Sequence, residues 1–225
     1  MAKRIRIALE IGPKGKRVIA VAPDWPGLER GAKTEEAAIE RLRSYLVRYE
    51  PVAAMAGLKA GFPSVASFQI VERYPGSTST DFWGISFAYS DIDCEPMTAK
   101  VLERELSLMK ASWMYFDRVR SRVSEAMEAG PRGGGRDRDQ IVRHTLITQL
   151  DWTKKLGMRV AWESVKTDEG LAAHRQSYCD AIRQFHAEGK MARRWPLRYL
   201  IRHTAYHTLD HAWEMEDKDM TRKDS

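Results

Sequence analysis

The chain has 225 residues, of which 43% are hydrophobic and 30% charged. That is enough apolar material for a packed core, and it excludes wholesale disorder. The net charge of +6 comes from 37 basic and 31 acidic residues mostly interleaved along the chain, a solvated basic surface rather than the clustered face of a nucleic-acid binder.

No apolar run approaches the ~20 residues of a membrane helix, and Glu10 and Pro13 interrupt the basic N-terminus before any apolar signal segment forms. Cys94 and Cys179 cannot make a disulfide framework, so a cytoplasmic protein is expected. Neither has a histidine beside it in sequence, so a Cys–His nucleophile is not expected.

Ile5, Ile7, Leu9 and Ile11 alternate with polar or small residues, the period of a half-buried strand. Gly12-Pro13-Lys14-Gly15 supplies a turn into a second strand over 17–22, which makes a hairpin. Pro23-Asp24-Trp25-Pro26-Gly27 breaks the pattern. Thr34 then caps a helix whose buried stripe is Ala38, Leu42, Tyr45 and Tyr49, and which Pro51 is expected to end. Two more strands are expected, one around Phe68, Ile70 and Glu72 and one through Trp83, Ile85, Phe87 and Tyr89. The expectation for 1–95 is a small antiparallel sheet backed by one helix.

After Asp91-Ile92-Asp93-Cys94-Glu95-Pro96 the period becomes helical. Leu102, Leu106, Met109, Trp113, Phe116, Val123 and Met127 form the buried stripe of one long helix. The glycine-rich stretch 130–135 ends it; no Gly-Lys-Ser/Thr follows, so this is a connecting loop and not a phosphate cradle. Further helices are expected over about 137–156, with Gly157 as C-cap, over 168–186, and over 196–217, with 218–225 frayed. Four amphipathic helices argue for an all-α bundle over 96–225, and the chain as a whole reads as α+β.

The chemistry-bearing residues concentrate in the last of these helices. His203, His207 and His211 are spaced i, i+4, i+8. Neighbours four apart stand within about 6 Å, so two imidazoles can address one ion, whereas the outer pair is about 12 Å apart along the axis. With Leu197, Leu200, Thr204 and Met215 defining the inward face, His211 falls inside it, His207 at its edge and His203 farther towards solvent. His207 and His211 are therefore the expected ligands. A third comes from His144, which shares a strip with Ile141 and Ile147, or from His174; His186 reads as a partner for a helix C-terminus. Three neutral imidazoles in a bundle core suit zinc or nickel with an open position. Glu214, three residues after His211, is a fourth ligand, an orienting group, a base, or an ordinary glutamate paired with Lys218. Trp152, Trp162, Trp195 and Trp213 read first as core aromatics.

Residues 137–144, Trp152 to Gly157, and the final stretch from His207 through His211-Ala212-Trp213-Glu214 resemble the DinB-like superfamily of metal-binding four-helix bundles. The resemblance covers about 97–218. It implies that His144 joins His207 and His211 on a divalent metal, zinc or nickel; Glu214, from its spacing to His211, is the catalytic candidate beside them. Some members are thiol-dependent S-transferases, which implies a low-molecular-weight thiol or a small electrophile as partner, in detoxification or stress. Residues 3–50 resemble a HicB-like domain through Pro23-Asp24-Trp25-Pro26-Gly27, Gly31, Thr34 and Glu36-Ala37. Such domains bind partner proteins or dimerise, so a homodimer is expected, and a non-catalytic partner-binding protein is the competing reading.

Overall fold

The computed structural model describes residues 4–63, 65–129 and 135–223. It is a mixed α+β structure. Strands β1 (Arg4–Ile11), β2 (Val18–Val21), β3 (Glu29–Ala32) and β4 (Ser67–Pro75) form one sheet in the order β3-β2-β1-β4. β1–β2 and β2–β3 are antiparallel, but β4 runs parallel to β1, with a bulge at Ile7/Ala8. The expected all-antiparallel sheet is thus corrected to a mixed one, because the segment between β3 and β4 is a helical crossover and not a hairpin.

β1 lies between two neighbours and is covered on both faces. Ile5, Ile7 and Leu9 enter the main apolar cluster, while Ala8 packs with Tyr74 and Ile92. β3 carries no hydrophobic alternation, which is why its sequence does not announce it. Its Glu29 and Arg30 are buried, and a Cβ at Gly31 would stand 2.2 Å from the Gly84 carbonyl oxygen. Pro23–Gly27 forms a tight loop in which Gly27 has φ +94. A Cβ there would meet Leu209 Cδ1 at 2.7 Å and the Ala205 backbone at 3.2 Å.

The crossover is two helices rather than one. Thr34 accepts a hydrogen bond from Ala37 N and caps α1 (Glu35–Ser44); the chain bends at Tyr45 and continues as α2 (Leu46–Met55) with Pro51 inside it. The bend seats Leu46, Tyr49, Val52 and Ala53 on the core, and the Tyr49 hydroxyl donates to the Pro26 carbonyl at 2.7 Å.

The strand expected through 83–89 is absent. Its place is taken by short helices α3 (Thr78–Trp83) and α4 (Asp91–Cys94), with Gly84 in the left-handed region at φ +72 between them. The reason lies in Glu10, fully buried in β1. Its carboxylate accepts from Thr80 Oγ1 (2.5 Å), Ser86 Oγ (2.6 Å), Phe87 N (3.1 Å) and Ala88 N (3.3 Å). Backbone groups that would have joined a strand ladder turn inward to a charge instead.

α5 (Ala99–Arg120) is capped by Thr98 and ends at Ser121, before the expected end near 127. Asp219 stops it: its carboxylate accepts from Ser124 N and Ser124 Oγ, and Met127 pairs with Asp219 across a single bridge. Residues 130–134 of the expected glycine-rich loop lie outside the described residues. α6 (Arg138–Thr153) opens with a capping box between Asp137 and Gln140 and closes through a 3-10 turn onto Gly157 at φ +78. α7 (Asp168–Ala187) is capped by Thr167. α8 (Leu197–Lys218) follows Pro196, and a further 3-10 turn occupies Met220–Lys223, within the stretch expected to fray.

α8 is buried on nearly all sides and is the central element of the fold. One apolar cluster unites Ile5, Leu42 and Tyr49 with Phe116, Leu209 and Trp213, so the packed interior runs across the boundary expected near residue 95. A second joins α5, α7 and α8 through Leu102, Trp113, Tyr178, Ile182 and Leu200. Among the described residues no helix is long and apolar enough to cross a membrane.

Candidate metal centre

α6 and α8 bring His144, His207 and His211 together. One ligand-bearing atom from each lies within 4.8 Å of the others. The Nε2 atoms of His144 and His207 face each other at 3.3 Å, close to the ~3.4 Å separation of two ligands at ~2.1 Å in a tetrahedral shell. Ring centroids are 5.2 Å apart for His144–His207, 4.9 Å for His144–His211 and 4.5 Å for His207–His211. All three residues are half-buried. His144 sits at the edge of α6 because Ile141 points into the core while Ile147, expected on the same inward strip, is exposed. Gln149 Nε2 donates to Thr208 Oγ1 at 3.0 Å and pins α6 to α8 beside the triad.

The electrostatics favour neutral rings. Burial, and then the charges of His211 and Arg136, push His144 down to about 4. Burial, with the neighbouring histidines, holds His207 well below the ordinary range. Neutral imidazoles present lone pairs, which is the form that ligates a metal. His207 Nδ1 is buried with no hydrogen-bond partner among the described residues. Glu214 closes the far side. His211 Nδ1–H donates to its Oε2 at 2.8 Å and Lys218 Nζ to its Oε1 at 2.5 Å. The hydrogen bond from His211, with that from Lys218, draws the Glu214 carboxyl down to about 2 against the effect of burial, and the carboxylate orients the His211 ring. The donor set, three imidazole nitrogens on two helices with a carboxylate behind one of them, fits zinc or nickel.

The remaining histidines go elsewhere. His203, expected towards solvent, is 3% exposed. The correction follows from the burial of α8 on nearly all sides, so a wheel with one inward face misplaces this side chain. His203 packs among Trp152, Trp195 and Tyr199 with centroids 4.9, 5.4 and 5.2 Å away, and burial pushes it down to about 3. Trp152 also roofs the site, 5.1 Å from His207. His174, the rival third ligand, is buried against Tyr178 on α7 and is not part of the triad. His186 Nε2 bonds the Met97 carbonyl at 2.7 Å. Burial pushes Cys179 up to about 11, so it is a thiol at neutral pH, and Cys94 is exposed.

Sequence reading missed the device that seats α8. Arg202 is 1% exposed and donates to Asp93 (2.8 and 2.7 Å), Glu29 (2.9 Å) and the Ala88 carbonyl (3.1 Å). Burial pushes the Glu29 carboxyl above its usual range against the pull of Arg202. The partners lie 109 and 173 positions away in sequence, and no local pattern marks them.

Comparison of the chain with protein-family models, with curated proteins and with solved structures found no match.

Proposed function

We propose that this protein is a divalent-metal-dependent enzyme of the DinB-like type, transferring a low-molecular-weight thiol to a small electrophile. In this reading α5 to α8 form the four-helix bundle of a domain over 96–225, with a HicB-like domain over 1–95. The observation that carries it is the convergence of His144, His207 and His211 from two helices, with ligand-bearing atoms within 4.8 Å of one another. A zinc or nickel ion bound there supplies Lewis acidity, which lowers the pKa of a thiol or water beside it.

The chain's own residues do the rest. Burial keeps His144 and His207 unprotonated at neutral pH. Glu214 accepts a hydrogen bond from His211 Nδ1 and orients the ring; held by Lys218 as well, with a carboxyl at about 2, it is a weak base, so its role here is positioning and not proton abstraction. Trp152 packs edge-to-face against His207 and covers one side of its ring.

Elemental analysis of untagged protein tests the proposal. Wild type is expected to hold about one zinc or nickel per chain. A variant with His144, His207 and His211 all changed to Ala is expected to hold none and still to melt cooperatively. A wild-type stoichiometry near zero after reconstitution overturns the reading.

A second reading, a partner-binding or homodimeric protein without catalysis, is favoured by one observation. Phe82 and Trp83, in edge-to-face contact at 4.6 Å, are 73% and 66% exposed. A monodisperse monomer whose hydrodynamic state is unchanged in the double Ser variant would remove its homodimer form.

A further inference from the structure

Residues Arg136, Gln140, Arg143, His144 and Ile147 line a shallow groove of about 390 Å³ along one stripe of α6. His144 therefore has two environments: one side of its ring faces His207 and His211, and the other opens into this groove. No acidic side chain lines it. The acids nearest in sequence are committed elsewhere, Asp137 to the cap of α6 and Asp139 to Arg138 at 2.8 Å. Arg136 and Arg143 are exposed and make no ion pair or hydrogen bond among the described residues; the guanidinium of Arg143 leans towards Trp162, 5.9 Å from its ring centroid. Gln140 accepts the Asp137 N–H through Oε1 and keeps its amide NH₂ unused. The far wall of the triad, in contrast, is shut by the Glu214–Lys218 pair.

We infer that this groove is the substrate-binding face of the triad and that it selects small anionic molecules. Arg136 and Arg143 grip the acidic group, Gln140 donates to it, and the reacting end reaches the space between His144, His207 and His211. Two uncompensated guanidiniums and an amide donor form the set that carboxylates, sulfonates and phosphates bind. Arg136 precedes the N-cap of α6 and Arg143 is the residue before His144, so the two guanidiniums bracket the groove and one of them stands beside the ring that faces the triad. The inference rests on the metal reading and adds to it the charge of the ligand.

The test uses the full chain loaded with zinc, with stoichiometry measured first. Isothermal titration compares 3-mercaptopropane-1-sulfonate with the neutral 3-mercaptopropan-1-ol; the two thiols match in length, and a sulfonate is a poor metal ligand. Wild type is expected to bind the sulfonate about tenfold or more tightly than the alcohol. In the Arg136→Gln/Arg143→Gln variant that preference is expected to fall to within about twofold, with metal content, melting temperature and affinity for the alcohol unchanged. Metal bound with equal affinities in wild type overturns the inference and leaves the metal reading standing. A preference that survives in the variant also overturns it, assigning the effect to overall charge. Absence of bound zinc overturns both readings.

Discussion

Two neighbouring turns of α8 use their polar side chains in opposite ways. At Arg202 the charge is sealed in and saturated: Asp93, Glu29 and the Ala88 carbonyl take up the guanidinium, and the residue is 1% exposed. Farther along the helix, His207 and His211 are only half-buried; His207 Nε2 faces His144 Nε2 at 3.3 Å, and His207 Nδ1 has no partner among the described residues. A guanidinium whose donors are all taken up fixes geometry, whereas an imidazole cluster with a buried nitrogen left over has room for a further partner. The first turn anchors the helix so that the second can stay open without losing its place.

The comparison breaks most readily at the anchor. Arg202→Met leaves Asp93 and Glu29 buried without their cation, and a loss of about 3–5 kcal/mol in chemical denaturation is expected. If the variant unfolds at the same denaturant concentration as wild type, the sealed turn is not what holds α8.

The buried histidines sharpen the comparison through pH. Burial pushes His174 down to about 4. The unfolded chain takes up this proton near pH 6.5 while the folded one refuses it, so its contribution to stability is intact above pH 6.5 and is lost as pH falls towards 4. The loss amounts to at most about 3 kcal/mol. His174→Phe is expected to flatten the acid limb of the stability–pH curve over that window. An unchanged limb would place the acid sensitivity elsewhere, with the half-buried triad.

On the open side, Glu214→Gln removes the carboxylate behind His211 and leaves the three nitrogens in place. Zinc affinity measured by competition with a chelator is expected to fall about 10–100-fold, with the melting temperature of the metal-free protein nearly unchanged. The smallest effect is expected at the entry to α6, which carries His144. Asp137→Ala removes one half of the capping box and should cost about 1 kcal/mol in urea unfolding.

Much of the helical half is legible in the sequence because its period is long and its caps are local. Thr98, Asp137 and Thr167 all cap its helices through their own side chains. The spacing of His207 and His211 is equally local, and the triad they form with His144 is the set the resemblance implies. What the sequence hides depends on partners far along the chain. Glu10 turns 86–88 away from a strand, Asp219 stops α5, and the bend at Tyr45 answers to the core beneath it. β3 stays hidden for a related reason: its buried side chains at Glu29 and Arg30 are held by charges on α8 rather than by apolar alternation.

Gly27 gives the fold an unexpected lever. The tight loop that contains it rests directly on Ala205 and Leu209, the residues two places before and two places after His207. A single methyl group at position 27 would act as a wedge beneath the turn that carries His207, so the early part of the chain and the imidazole cluster near its other end are mechanically joined through one missing side chain.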